Sequence, residues 1–238
     1  MSSIPLQVLS REQVRRIDTA AAEQLGIHSL VLMENAARGL CEVIRSTGAW
    51  SAITIVAGPG NNGGDGLAVA RLLAADQCSA DHSCDVQVLL IRGGKSISQD
   101  ASANLSILQR CGLPVEEPSL TSAAEIITGL PADSLLVDAL LGTGIRGTVS
   151  EPFLSIIAAI NRSAAAKLAV DVPSGLDCDS GSPCGAAVRA SHTVTFVAAK
   201  TGFLTPQGRE HCGQIHVRHI GVPAEWIAKL CRQPDDRR

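Results

Sequence analysis

From residue 52 onward the chain alternates between short apolar runs and stretches with helical spacing. The runs Ala52–Ala57, Asp85–Ile91, Ser134–Asp138, Lys167–Val172, His192–Val197 and Gln214–Val217 have strand length. Several contain continuous apolar stretches, as strands covered on both faces do. Helical spacing covers residues 63–76, 98–111, 121–129, 152–162 and 223–231. This alternation predicts a parallel sheet with right-handed crossovers and helices on both sides. Two further helices precede the first strand. Ser10-Arg11-Glu12-Gln13 fits a capping box that opens a helix running to about Gln24 and closed by Gly26. Ser29 reads as the cap of a second helix, from Leu30 to about Arg45. A helical pair ahead of the sheet is expected to act as a lid or an oligomer surface.

The 238 residues contain no internal repeat, low-complexity tract or linker, so a single domain over 1–238 is expected. Hydrophobic residues make up 45% and charged residues 18%, a globular rather than a disordered balance. No apolar run approaches the roughly 18–20 residues that would span a bilayer. The opening Met1-Ser2-Ser3-Ile4-Pro5 lacks the basic region and apolar stretch of a secretory signal, so a cytoplasmic protein is expected. Net charge is −3 without a block of like charge, which removes nucleic acid and anionic membrane from the expected partners. Eight cysteines, with no Cys-x-x-Cys pair, read as free and mostly packed thiols. His211-Cys212 with His216 and His219 suggests a metal site only at first sight. The segment reads as a strand, whose alternation sends residues 216 and 219 to opposite faces. Surface and edge histidines are expected instead.

In parallel sheets ligands bind beyond the carboxyl ends of the strands. Four such ends are rich in special residues: Gly58-Pro59-Gly60-Asn61-Asn62-Gly63-Gly64-Asp65-Gly66, Asp138 through Gly142-Thr143-Gly144-Ile145-Arg146-Gly147, Asp171-Val172-Pro173-Ser174, and Lys200-Thr201-Gly202. Gly58, Gly60 and Gly63 match the Gly-x-Gly-x-x-Gly turn of dinucleotide-dependent dehydrogenases. Such an enzyme needs an acidic residue at the end of the second strand, where this chain has Ile91-Arg92-Gly93-Gly94. The loop suits ligand binding by other means. Its glycines admit close backbone approach, Asn61, Asn62 and Asp65 offer oxygens, and the following helix start offers amides to phosphate. Gly142–Gly147 reads as a second backbone cradle, with Arg146 able to meet phosphate. Asp138 and Asp171, closing neighbouring strands beside these loops, look like a reaction centre. A kinase is excluded by the lack of Gly-x-x-x-x-Gly-Lys-Ser/Thr.

Taken in order, these motifs resemble the NAD(P)H-hydrate epimerase family, also called the YjeF N-terminal domain. The resemblance runs from Ser10–Asp18 and Leu32–Gly39 through Asn61–Gly66, Val137–Ala139, Val170–Asp177 and Thr193–Phe196 with Lys200, to Gly221-Val222-Pro223. It implies a Rossmann-like three-layer αβα sandwich with a mostly parallel sheet, usually homodimeric. The implied enzyme is an isomerase of nicotinamide nucleotide repair, interconverting the R and S epimers of NADHX or NADPHX. By the same resemblance Asn61, Asn62, Gly63, Gly64 and Asp65 would line the dinucleotide, together with Gly142, Thr143, Gly144, Ile145, Arg146, Gly147 and Thr148. Asp171 would contact it near the reacting ring, and Asn62, Asp138 and Ser174 would ligate a potassium ion. Relatives of this kind are often fused to a dehydratase that consumes one epimer; here that partner is expected to be a separate protein. Family members also occur as scaffolds in RNA decapping and lipoprotein association, a reading that would not require Asn62, Asp138, Asp171 and Ser174 together.

The reacting carbon of such a substrate carries a hydroxyl and is bonded to the ring nitrogen. Protonating the hydroxyl releases water and leaves an iminium-like ring, to which water returns from the other face. The site needs an acid–base group, stabilisation of positive charge and exclusion of bulk water. Asp171 is the expected acid–base residue, with Asp65 and Asp138 as alternatives. Ring opening and reclosure is a second route.

Overall fold

In the computed structural model, residues 8–76 and 84–232 are described; most of the segment 76–84, expected as a variable loop, falls outside them. Seven strands form one sheet: β2 (Ala52–Ala57), β3 (Asp85–Leu90), β4 (Val115–Glu116), β5 (Leu135–Ala139), β6 (Ala166–Val170), β7 (His192–Phe196) and β9 (Gln214–Arg218). Their order is β4-β3-β2-β5-β6-β7-β9, and every neighbouring pair is parallel. The expected alternation is therefore present, and the sheet is parallel throughout its described strands. Chain order reverses at β2, which lies between β3 and β5, so the switch point falls at the Gly58–Asp65 run.

Side-chain alternation along the strands divides the interior into two layers. Ile53, Ile55, Leu135, Val137, Leu168 and Val170 face the larger core. It is covered by α1 (Arg11–Leu25), α2 (Ser29–Thr47), α3 (Asn61–Asp76), α4 (Gln99–Arg110) and α8 (Ala224–Arg232). Val56, Leu89 and Leu136 face the other way, under α5 (Leu120–Thr128) and α6 (Phe153–Arg162). A third cluster packs Val172, Leu176 and Phe203 with Cys212 from α7 (Pro206–Cys212), against Ile215 and Val217 of β9. This is the three-layer sandwich. Among the described residues no helix is long and apolar enough to cross a membrane.

The N-terminal pair follows its sequence signals with one change. Gln13 N donates to Ser10 Oγ at 3.3 Å and Ser10 N to Gln13 Oε1 at 2.8 Å, completing the capping box. Gly26, at φ 66°, ends α1. Ser29, however, is already helical, and His28 caps α2 by accepting from Leu30 N through Nδ1 at 3.4 Å. A short ladder lies outside the sequence reading: β1 (Val8–Leu9) runs parallel to β8 (Ala199–Lys200).

Helix α3 also starts earlier than its spacing predicts, so Asn61–Asp65 opens the helix rather than forming a loop ahead of it. Its glycines are there for contact. A Cβ on Gly63 would lie 1.8 Å from Gly58 O, and one on Gly66 would lie 2.6 Å from Ala139 Cβ. The helix is thereby pressed onto the ends of β2 and β5. Gly58 itself donates its N–H to Ala139 O at 3.0 Å, and a Cβ there would stand 1.8 Å from Leu140 O. Gly58→Ala is therefore expected to lower the unfolding free energy by about 1–3 kcal/mol, as overpacking does. Urea denaturation measures this, and an unchanged midpoint would contradict the close approach.

Candidate active site

A cleft of about 920 Å³ opens above the carboxyl ends of β2, β5 and β6. Its walls come from α1 and α2 on one side and from the loop leading into α6 on the other. Asn61, Asn62 and Asp65 line it, as do Gly142, Thr143, Gly144, Ile145, Arg146 and Thr148, and Asp171. Those expected substrate residues are thus brought together. Gly63, Gly64 and Gly147 are not among the lining residues. Gly63 and Gly64 are buried in the packing of α3, and Gly147 turns the chain at φ 70°.

Asp171 stands just past β6 because it leaves the strand conformation, adopting φ 60°. A non-glycine residue is seldom found there, and tertiary contacts must hold it. Its N–H donates to Val194 O at 2.7 Å. Its Oδ1 accepts from Thr195 Oγ1 at 3.0 Å and Phe196 N at 3.4 Å, and meets Lys200 Nζ at 2.8 Å. Lys200 is fully buried, with Nζ also donating to Thr195 Oγ1 at 2.7 Å and Phe196 O at 3.1 Å. Among the described residues, all of the carboxylate's bonds go to Oδ1. Oδ2 is left for the cleft.

Asp138 and Ser174, both without solvent exposure, lie beneath the cleft rather than on it. Asp138 Oδ2 accepts from Ser174 N at 2.8 Å, and Oδ1 from Ser174 Oγ at 2.5 Å and Leu140 N at 3.3 Å. Burial pushes the Asp138 carboxyl up to about 6, against these donors. Ser174 Oγ in turn accepts from Leu141 N at 2.8 Å, tying the loops after β5 and β6 together. Asn62 touches the same loop, since a Cβ on Gly142 would lie 3.2 Å from its Oδ1. Its Nδ2 is buried without a hydrogen-bond partner among the described residues.

Other groups in the cleft were not singled out from the sequence. Val14, Asp18 and Ala22, four residues apart on α1, line one wall. Asp18 keeps access to the cleft, yet protein surrounds it closely enough that burial, aided by Asp171 and opposed by Lys200, raises its carboxyl to about 6. Asp65 is pushed well above the usual carboxylate range by burial, then by Asp171, Asp18 and Asp100. Lys95 also lines the cleft, its ammonium 4.9 Å from the centre of the Phe153 ring. Arg11, at the start of α1, donates to Ile145 O at 3.0 Å and pairs with Asp177, so α1 braces the Gly142–Arg146 loop. The histidines differ from expectation in one respect. His211 is buried on α7, not on a strand or at the surface, with Nδ1 2.9 Å from Val188 O. His216 pairs with His192 at 3.2 Å, and no group of three or more His, Cys, Asp or Glu among the described residues is placed to hold a metal.

Residues 29–202 match the family model of the YjeF-related protein N-terminus. The chain belongs to that family. It is 36% identical to the NAD(P)H-hydrate epimerase of Pirellula staleyi, covering 96% of this chain and 98% of that one. It is also 38% identical to the bifunctional NAD(P)H-hydrate repair enzyme Nnr of Archaeoglobus fulgidus, covering 97% of this chain but only 45% of the relative. The chain thus spans about half of that bifunctional relative. Among solved structures, yeast ynu0 (YNL200c) superposes with a TM-score of 0.77 at 23% identity, over 97% of this chain and 96% of that one. At that identity the likeness speaks for the fold. Within the family fold, the Asp138–Ser174–Leu141 linkage is what joins the two loops on this chain. Ser174→Ala removes the hydroxyl and leaves buried polar groups unpaired, at an expected cost of about 1–3 kcal/mol. Denaturation in potassium-free buffer and faster hydrogen exchange at the Leu141 amide measure it; wild-type values for both would refute the linkage.

Proposed function

We propose that this chain is an NAD(P)H-hydrate epimerase, interconverting the R and S forms of NADHX or NADPHX. The observation that carries the reading is Asp171: a carboxylate fixed through one oxygen, with the other open to a cleft lined by glycine-rich backbone. Near-full-length likeness to the Pirellula staleyi epimerase supports the substrate. In this reading the amides of the α3 first turn and the Gly142–Arg146 loop receive the diphosphate, helped by Arg146. The nicotinamide-derived ring lies over Asp171. Oδ2 gives a proton to the departing hydroxyl, and Lys200 and Thr195 keep the carboxylate from rotating away. The same reading extends to a homodimer in the cytoplasm.

Asp171→Asn retains an oxygen for Lys200 and loses the proton-handling group. With one purified epimer followed by chromatography, equilibration is expected to slow by roughly 100-fold or more after subtracting the spontaneous rate. Dinucleotide binding should survive. An Asp171→Asn rate within about threefold of wild type, far short of the usual acid–base effect, would remove Asp171 from the role.

The donor set beneath the cleft fits a potassium ion. Asn62, Asp138 and Ser174 offer oxygens, the preference of hard cations. Asp138 is a buried carboxylate whose bonds among the described residues come from neutral donors, which favours a cation beside it. Bound there, the ion would supply positive charge next to the phosphate loops. Potassium at many times its dissociation constant should stabilise wild type by about 1–3 kcal/mol over choline at equal ionic strength, and Asn62→Ala should lose most of that gain. Equal melting temperatures for wild type in the two salts would sink the ion site.

A further inference from the structure

The epimerase reading leaves one chemical demand that Asp171 alone does not meet. If water leaves one face of the ring and returns to the other, the departing and entering oxygens lie on opposite sides of a planar iminium. With each at a near-attack distance of about 3 Å, they are roughly 6 Å apart. A proton donor or acceptor works within about 2.6–3.2 Å of its oxygen. A carboxylate held on one face therefore cannot serve both. Asp171 is such a carboxylate, since Thr195, Phe196 and Lys200 hold its Oδ1 and fix where Oδ2 lies.

Three other carboxylates line the cleft: Asp18, Asp65 and Asp100. Asp100 sits at the start of α4 and is itself buried. Asp65 lies just past the first turn of α3, where burial, then Asp171, Asp18 and Asp100, favour its protonated form. Asp18 differs from both. It projects from α1, an element that packs over the sheet end rather than continuing from it, and its charge couples to both Asp171 and Lys200. No hydrogen-bond partner holds it among the described residues, and the carboxyl stands close to neutrality in its proton affinity, at about 6. It also lies ahead of residues 29–202, the part matched by the family model.

We propose that Asp18 is the second proton-handling residue of the reaction, serving the ring face opposite Asp171. In one direction, protonated Asp171 gives its proton to the hydroxyl. The C–O bond breaks with its electron pair leaving on water, and the ring nitrogen's lone pair forms the C=N bond. A water on the other face then forms a new C–O bond, the C=N π pair returns to nitrogen, and the surplus proton passes to the Asp18 carboxylate. One water leaves, one enters, and one proton moves from Asp171 to Asp18. The reverse reaction uses the two in exchanged roles.

The proposal rests on the epimerase reading, and oxygen-18 water separates the two. One purified epimer is incubated with enzyme in labelled water, and label is measured in both the inverted and the retained epimer. Wild type should place one labelled oxygen in each inverted molecule. In Asp18→Asn, inversion should fall by roughly 100-fold, the scale of a lost acid–base group. Label in the retained epimer should persist, because Asp171 can still expel and readmit water on its own face. The ratio of retained label to inversion should thus rise by at least about tenfold, with Asp18→Glu moving it back toward wild type. Dinucleotide binding and circular dichroism of the variants report that the fold is kept. Equal loss of exchange and inversion, an unchanged ratio, or inversion without label would each overturn the second residue. A wild-type enzyme that does not speed epimerisation at all would overturn the epimerase reading itself.

Discussion

An ammonium group cut off from water must find all its partners inside the protein, and Lys200 imposes that demand on this fold. Its neighbours answer it from several elements. Thr195 and Phe196 come from the end of β7, and Asp171 supplies the opposing charge from the end of β6. The β1 strand closes over the position through the Leu9–Lys200 register. The backbone bends to make this possible: among the described residues, Asp171 at φ 60° and Val197 at φ 68° are the two non-glycine residues with positive φ. Removing one member of a buried pair leaves the other charge uncompensated, so the pair constrains both fold and site. Asp171 is consequently aimed by folding, before any ligand arrives, as preorganised catalysis requires.

The sheet was legible because burial on both faces favours continuous apolar stretches such as Leu135-Leu136-Val137 and Leu168-Ala169-Val170. Ala52–Ala57 and the β5 run could hardly be anything else, and the capping box fixed the start of α1 to the residue. Boundaries moved where a tertiary contact decided them. The spacing placed the third helix at residue 63, yet Asn61 and Asn62 join it because Gly63 and Gly66 let the helix settle against β2 and β5. The β1–β8 ladder is two residues long and has no pattern to read. The same holds for the site. Asp138, Asp171 and the glycine runs declared themselves by following strands, whereas Asp18 and Arg11 belong to a helix whose position over the sheet end is set by packing. In the sequence Asp18 shows as the end of the Ser10–Asp18 motif and by its place on one stripe with Val14 and Ala22.

The two walls of the cleft differ in charge, and the difference follows from which core each wall belongs to. Asp18, Asp65 and Asp100 come from α1, α3 and α4, the helices over the larger core. The Lys95 ammonium lies over Phe153, which belongs to the smaller core, and Arg146 stands in the loop that leads there. Arg15, on α1, is the exception. In the proposed reaction this division orients the ligand. Phosphates carry fixed negative charge and are drawn to the side of Lys95 and Arg146, beside the glycine-rich Gly142–Gly147 segment. The ring gains positive charge only as water leaves, so carboxylates near it act on the transition state more than on the bound substrate. Burial, aided by its acidic neighbours, favours the protonated form of Asp65, which limits the field an anionic dinucleotide meets on entry. As the ring becomes cationic, ionising one of these acids becomes easier. A cluster of carboxylates in one cleft is therefore compatible with binding an anion and suited to stabilising a cation formed from it.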